Sequence, residues 1–120
     1  MAKVQSIAIP LTIVDESTAI ASATQEIPAG FIVGVASTAG ALDGSDTYTV
    51  KITDVNNVTI YEVGSLAESS TTLDISQAFG ATEETPLRIP CVGPVTVTVT
   101  ASAEQNNADV EFTVYLYIEA

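Results

Sequence analysis

The sequence predicts an all-β fold, a single antiparallel β-sandwich of about eight to nine strands that takes up residues 1–120. Two observations predict it. The C-terminal quarter alternates apolar and polar residues with a period of two, and short apolar runs recur along the chain between Gly, Pro and Asn. Because periodicity does not reveal strand order, a jelly roll and an immunoglobulin-like sandwich both remain open.

The last quarter of the chain carries the clearest strand pattern. Successive side chains of a strand point to opposite faces, so each alternating run has one apolar face. These faces comprise Val95, Val97, Val99 and Ala101 in the first run, and Val110, Phe112, Val114, Leu116 and Ile118 in the second. Asn106 and Asn107 lie in a polar turn between the runs. The pattern predicts an antiparallel hairpin with one face in a core.

The first predicted strand covers residues 3–14, with Ile7, Ile9, Leu11 and Ile13 along one face. Pro10 interrupts it, and proline has no N–H to donate to a sheet ladder. We therefore expect this strand at a sheet edge or at a bulge, and residues 1–14 become a candidate contact arm.

The segments that follow are assigned in order. Residues 18–25 form a weak strand or an extended loop, and the β-branched and Ser residues disfavour the helix that the alanines permit. Strands are expected at 31–38, at 47–54 and 58–63 as a pair about Asn56-Asn57, at 71–75 and at 87–91. Residues 76–86 are the most irregular stretch, with a candidate helical turn at Ala78-Phe79.

Charge narrows the class of partner. Fifteen acidic residues oppose three basic ones, Lys3, Lys51 and Arg88, for a net charge of −12. Nucleic acids and anionic membranes attract clustered Lys and Arg, so the composition argues against both as partners. The charge serves solubility or, alternatively, a partner with a basic face.

The sequence offers little for catalysis, and we expect a protein that is not an enzyme. With no histidine, the Ser-His-Asp and Cys-His arrangements are excluded. Cys91 is expected to be a small buried apolar residue, Asp43-Gly44-Ser45-Asp46 a turn rather than a calcium loop, and Glu83-Glu84 a solvated loop. No phosphate-binding glycine motif occurs, and we expect neither metal nor organic cofactor. The N-terminus lacks a signal-peptide pattern and no apolar run reaches membrane-spanning length, so synthesis in a host cytoplasm is expected.

Three tyrosines, Tyr61, Tyr115 and Tyr117, fall on faces predicted to point outward. Exposed tyrosines on a sheet form protein interfaces or platforms for sugars. Cross-strand packing within the sheet is an equal alternative.

Two long segments resemble small β-sandwich proteins of tailed-phage virions, the head decoration or cement proteins. They are TQEIPAGFIVGVASTAGALDGSDTYTVKITDVNNVTIYEV and LRIPCVGPVTVTVTASAEQNNADVEFTVYLYIEA, which together cover most of the chain from Thr24 onward. The resemblance implies a structural protein that binds the major capsid protein on the outer surface of the virion, commonly as a homotrimer. It transfers no residue-level contacts.

Sheet edges need cover, and symmetric association is a common way to provide it. We therefore expect a homo-oligomer, with the first strand at a subunit or capsid contact. The candidate interface residues are Ile7, Ile9, Pro10, Leu11, Tyr61, Tyr115 and Tyr117.

Two other functions compete with capsid decoration. A carbohydrate- or receptor-binding module of a tail fibre or surface appendage would show clustered aromatics, whereas this chain has seven aromatic residues and no Trp. A carboxylate-based hydrolase is the third hypothesis, and fifteen acidic residues make some carboxylate pair inevitable without pointing to one.

Overall fold

The computed structural model describes residues 4–14, 18–68, 71–74, 76–79, 83–86, 88–105 and 108–119. Within these ranges the chain forms eleven strands: β1 (Val4–Ile13), β2 (Thr18–Gln25), β3 (Gly30–Ala39), β4 (Thr47–Thr53), β5 (Thr59–Ala67), β6 (Thr71–Asp74), β7 (Ser76–Phe79), β8 (Glu83–Pro86), β9 (Ile89–Cys91), β10 (Val95–Gln105) and β11 (Val110–Glu119). Among the described residues, no helix is long and apolar enough to cross a bilayer.

Nine of the strands build two antiparallel sheets, which confirms the predicted all-β sandwich. Sheet A has the order β1-β11-β3-β6, with β9 also paired to β3, and sheet B has the order β2-β10-β4-β5. β7 and β8 form a separate two-stranded ribbon. Consecutive strands pass between the sheets at β1–β2, β2–β3, β3–β4, β5–β6, β9–β10 and β10–β11. This strand order is that of a jelly roll, so it decides between the two connectivities that the sequence left open.

The core lies between the inner faces of the two sheets. The alternating residues of β10 and β11 supply much of it, and Val97, Val99, Val114 and Leu116 are each 0% exposed. Tyr48 packs its ring against Phe112 with centroids 5.1 Å apart and planes tilted by 59°. The predicted inner faces of both runs are therefore correct.

The predicted pairing of the two C-terminal runs is wrong. β10 lies in sheet B between β2 and β4, whereas β11 lies in sheet A between β1 and β3. The two strands face each other across the core instead of sharing a hydrogen-bonded ladder. Alternation specifies which side of a strand is buried, and both arrangements bury the same side.

Elsewhere the structure confirms some predicted elements and corrects others. β4 and β5 pair as expected about Asn57, which adopts a left-handed φ of 63°. The Asp54 carboxylate accepts hydrogen bonds from the backbone N–H groups of Asn56 and Val58, both at 2.9 Å, and so closes this turn. Residues 18–25 form a full strand, and Ala78-Phe79 belongs to β7 rather than to a helical turn.

β1 lies at the edge of sheet A, as Pro10 predicted. The Gly40 N–H donates to the Glu111 carbonyl at 2.9 Å, so the backbone groups of Glu111, and by alternation of Thr113, point toward β3. Pro10 is paired with Thr113 and therefore occupies a position whose nitrogen points to the open edge. The ladder runs past the proline without a register shift.

A buried glutamine fixes the loop between β3 and β4. The side chain of Gln105 is 0% exposed and accepts a hydrogen bond from the Asp43 N–H at 2.7 Å. Its amide nitrogen donates to Asp46 Oδ2 at 3.0 Å and to the Ala103 carbonyl at 2.9 Å. Asp46 N–H closes a turn onto the Asp43 carbonyl at 3.1 Å, so this segment is a turn as predicted.

Candidate functional site

The structure separates the seven candidate interface residues into buried and accessible groups. Ile9 and Leu11 are 1% and 5% exposed and pack in the core, so only their backbone lies near the surface of β1. Ile7 also points inward and is half-buried at the end of the strand. Pro10 is exposed on the outer side of sheet A. Whether any of them contacts a partner stays a prediction.

The prediction that Tyr61 faces outward is wrong. Tyr61 is 5% exposed and belongs to the core. It lies directly opposite Ile52 in the β4–β5 register, and paired residues of a sheet share one face. Because Ile52 is 0% exposed, Tyr61 beside it also lies in the core.

Tyr115 and Tyr117 do lie on the outer face of sheet A, where they are half-buried. Each ring stands in a row of small residues. Tyr115 is flanked by Ala8 on β1 and Ala36 on β3, and Tyr117 by Ser6 and Gly34. We call these six residues the tyrosine strip. Its two rings stand above neighbours that have at most a methyl or hydroxymethyl side chain. Ser6 and Ala8 are exposed while Gly34 and Ala36 are buried, so partner groups have room to approach the rings from the β1 side.

A cation and a carboxylate lie at one end of the tyrosine strip. Arg88 stacks on the ring of Phe31, with its guanidinium carbon 3.9 Å from the ring centroid. The same guanidinium donates to Glu119 Oε1 at 2.7 Å. Phe31 and Glu119 are opposite each other in the β3–β11 register, so the arginine spans both. This exposed ion pair adds little to stability, but it orients a planar guanidinium at the sheet surface.

Among the described residues, Lys51 does not extend this cationic group into a patch. Lys51 lies on sheet B, directly opposite Glu62 in the β4–β5 register. Lys3 falls outside the described residues. The structure therefore gives no basic surface of the kind that tracks a nucleic-acid backbone, within the part of the chain that it describes.

A cavity of about 200 Å³ opens at one end of the sandwich, between the β4–β5 turn and the segment around β9. Its lining comprises Asp54, Val55, Asn56, Pro90, Cys91, Val92 and Val95. The Cys91 thiol lies within 3.5 Å of the Gly30 carbonyl oxygen and is 5% exposed. Burial raises the pKa of this thiol, and a hydrogen bond with the Gly30 backbone partly offsets the rise. A protonated, buried thiol is a packing group rather than a nucleophile, as the sequence predicted.

Acidic side chains are plentiful but dispersed. Over the described ranges, no three His, Cys, Asp or Glu residues come together as a metal site would require. Asp43 and Asp46 take part in the Gln105 network, and the backbone N–H of Leu42 donates to Glu68. These contacts hold a loop in place. The predicted acidic pair Glu83-Glu84 lies in β8, a strand rather than a loop.

Sequence reasoning missed two features of this surface. The flanking of both tyrosines by small residues depends on the β1–β11–β3 register, which no local pattern encodes. The Arg88–Phe31 stack joins residues from separate segments, and the isolated arginine in the sequence gave no hint of its ring partner.

No protein-family model matches the chain, and the comparison with curated proteins finds no match. Several solved structures are similar in shape. The carbohydrate-binding module TmCBM61, solved with β-1,4-galactotriose, has a TM-score of 0.47 and 15% identity, covering 100% of this chain and 86% of that one. A cyanophage Pam1 capsid chain has a TM-score of 0.48 and 20% identity, with 98% and 84% covered.

A third similar structure comes from T=1 particles of infectious bursal virus, with a TM-score of 0.49 and 11% identity. The match covers 98% of this chain but 32% of the viral protein, so the chain spans about a third of that protein's length. At these identities and TM-scores the similarities assign no function.

Proposed function

We propose that this chain is a non-catalytic structural protein of a virion that binds the outer surface of a phage capsid through the outer face of sheet A. The observation that carries the proposal is the tyrosine strip. Tyrosine contributes large contact area with few rotatable bonds, and it is enriched in protein interfaces. Here two such rings stand on a three-stranded platform. Its β1–β11 ladder is continuous, and its β11–β3 ladder is regular from Phe112 to Tyr117.

Charge supports an external position. A capsid interior packed with nucleic acid repels a subunit with a net charge of −12, and the described structure offers no basic patch to offset that repulsion. Facing outward, the same charge attracts basic groups on the capsid protein. Because Arg88 is paired with Glu119, it does not neutralise carboxylates elsewhere on the surface, and those carboxylates can attract basic groups of the capsid protein.

The test is binding of purified protein to particles that lack it. We expect the double variant Tyr115→Ala with Tyr117→Ala to bind at least tenfold more weakly, because both rings leave the contact. Thr98→Ala with Thr100→Ala, on the outer face of sheet B, is the matched control and should bind like the parent protein. Equal binding by the tyrosine variant and the parent would contradict the proposal.

Two further measurements test the position on the particle. The association rate should fall as salt rises, since exposed charges steer the encounter and the Debye length is about 8 Å at physiological ionic strength. Antibodies against the chain should label intact, DNA-filled particles. Protection of every epitope in such particles would place the protein inside and refute an outer position.

A carbohydrate- or receptor-binding module is the second candidate, and the same two rings favour it. Tyr115 and Tyr117 are two residues apart on one face of a strand, so their Cα atoms lie roughly 7 Å apart. Aromatic faces at such a spacing suit successive rings of a glycan. A glycan array separates the candidates: specific, tyrosine-dependent sugar binding with no affinity for particles would favour the module.

A further inference from the structure

The free edge of β2 differs from the other sheet edges in the described structure. β1 carries Pro10 at its open side, and β5 has two register shifts and a left-handed Ser65 with φ of 58°. β6 and β9 are only four and three residues long. Short length, proline and bulges are the devices that keep edge strands from pairing with other chains.

β2 has none of these devices along its central part. Its eight residues, TAIASATQ, include no charge, no proline and no glycine. Its register with β10 is continuous from Gln25 to Ile20. Ile20 is 61% exposed, a large apolar side chain on the outer face beside an edge that pairs with no described strand.

Backbone alternation shows which residues of β2 face the free edge. The Asp54 N–H donates to the Val58 carbonyl at 2.9 Å, toward β5. Successive residues of a strand direct their backbone groups to opposite sides. Following this alternation through the β4–β10 and β10–β2 registers places the N–H and C=O groups of Ile20, Ser22 and Thr24 at the open edge of β2.

We propose that β2 pairs with β2 of a second copy of this chain, antiparallel about a two-fold axis at Ser22. In this register Ile20 lies opposite Thr24 of the other copy, and the outward backbone groups form roughly six interchain hydrogen bonds. Sheet B then continues across the axis as one eight-stranded sheet. The exposed face of Ile20 is covered by a threonine that is already fixed, because Thr24 Oγ1 lies 3.0 Å from Thr96 Oγ1.

Charge limits where two copies can meet and disfavours a parallel orientation. A copy with a net charge of −12 is repelled by most of the surface of another, and β2 presents a strip of eight uncharged residues. Glu26 follows the strand directly. Antiparallel pairing about Ser22 separates the two Glu26 residues by eight residue steps, roughly 27 Å, well beyond the Debye length. Parallel pairing in register would set them side by side.

The proposed two-fold pairing replaces the trimer that the sequence analysis expected, and it is independent of whether the outer face of sheet A binds a capsid. A trimer requires each copy to offer two different surfaces, whereas a two-fold axis uses one surface twice. The free edge of β2 is one such surface.

Analytical ultracentrifugation of the purified chain over a concentration series tests the proposal. We expect a dimer, and we expect Ser22→Asp to raise its dissociation constant at least tenfold, because two carboxylates meet on the axis. Ser22→Thr is the matched control and should stay within threefold of the parent. Ser22 is exposed, so both variants should melt like the parent when monomeric. A monomeric parent, or a trimer that Ser22→Asp leaves intact, would overturn the proposal.

Disulfide trapping tests the register. Residues of a hydrogen-bonded antiparallel pair have Cα atoms about 5.5 Å apart, within the range that a disulfide spans. Ser22→Cys should therefore form a covalent dimer under mild oxidation. Ala8→Cys, on the open side of β1, is the control and should not, and the native Cys91 is buried. Equal cross-linking at both positions would indicate random collision and refute the pairing.

Discussion

Replacing Gln105 by Ala should be among the most destabilising single changes in this protein. The variant loses two neutral hydrogen bonds, with the Asp43 N–H at 2.7 Å and the Ala103 carbonyl at 2.9 Å. It also loses a charge-assisted bond to Asp46 at 3.0 Å. At about 0.5–1.5 kcal/mol for each neutral bond and about 1.5–3 kcal/mol for the charged one, the cost is about 2.5–6 kcal/mol. A domain of this size is stable by about 5–15 kcal/mol in total.

Urea titration followed by circular dichroism gives the free energy of unfolding directly, and calorimetry should show Tm lower by roughly 10–20 °C. Gln25→Ala is the matched control, because Gln25 makes an exposed hydrogen bond to the Glu26 carbonyl at 3.1 Å. It should cost no more than about 0.5 kcal/mol. If both variants lose similar stability, the buried network does not hold the β3–β4 loop and the reasoning fails.

Three other perturbations have defined outcomes. Val99→Asp and Val114→Asp each place a charge at a position with 0% exposure and should leave the chain unfolded by circular dichroism, whereas native-like melting in both would reverse the assigned faces. Ser37→Ala removes the hydroxyl that lies 2.9 Å from the buried Tyr48 hydroxyl, and urea titrations should show a loss of about 1–3 kcal/mol in the free energy of unfolding. The double variant Ser37→Ala with Tyr48→Phe should lose less free energy of unfolding than the sum of the two single variants. Since burial raises the pKa of the Cys91 thiol, this thiol ionises first in the unfolded chain as pH rises, and the stability of the fold should fall through the alkaline range. A Cys91→Ala variant melted over the same pH range should lose less stability.

The sequence correctly predicted which face of most strands is buried, but it predicted poorly which strands pair with each other. Val97 and Phe112 were placed in the core correctly, because alternation follows directly from the two-residue period of a strand. The same alternation suggested a hairpin between their strands, whereas the two strands belong to opposite sheets. A polar segment between two strands can form the turn of a hairpin within one sheet, or it can lead from one sheet to the other. The residues of the segment itself do not distinguish these two connections.

Tyr61 shows a second limit of prediction from the sequence. Its aromatic ring and terminal hydroxyl suit an outer face as well as a core, and the choice depends on lying opposite Ile52, a contact between strands. The proline in β1 was more informative, since a missing N–H has a direct geometric consequence at any edge. For the candidate site, the sequence identified Tyr115 and Tyr117, but their small flanking residues come from two other strands.

The positions of β10 and β11 have a consequence for how the chain acquires its structure. Each is an inner strand of its sheet, and the strands that flank them, β1 to β4, come from the first half of the chain. Until residues 95–119 leave the ribosome, four strands are without the neighbour that joins them. The two sheets therefore cannot close before residues 95–119 emerge, and until then the nascent chain exposes several apolar strand faces that chaperones can bind.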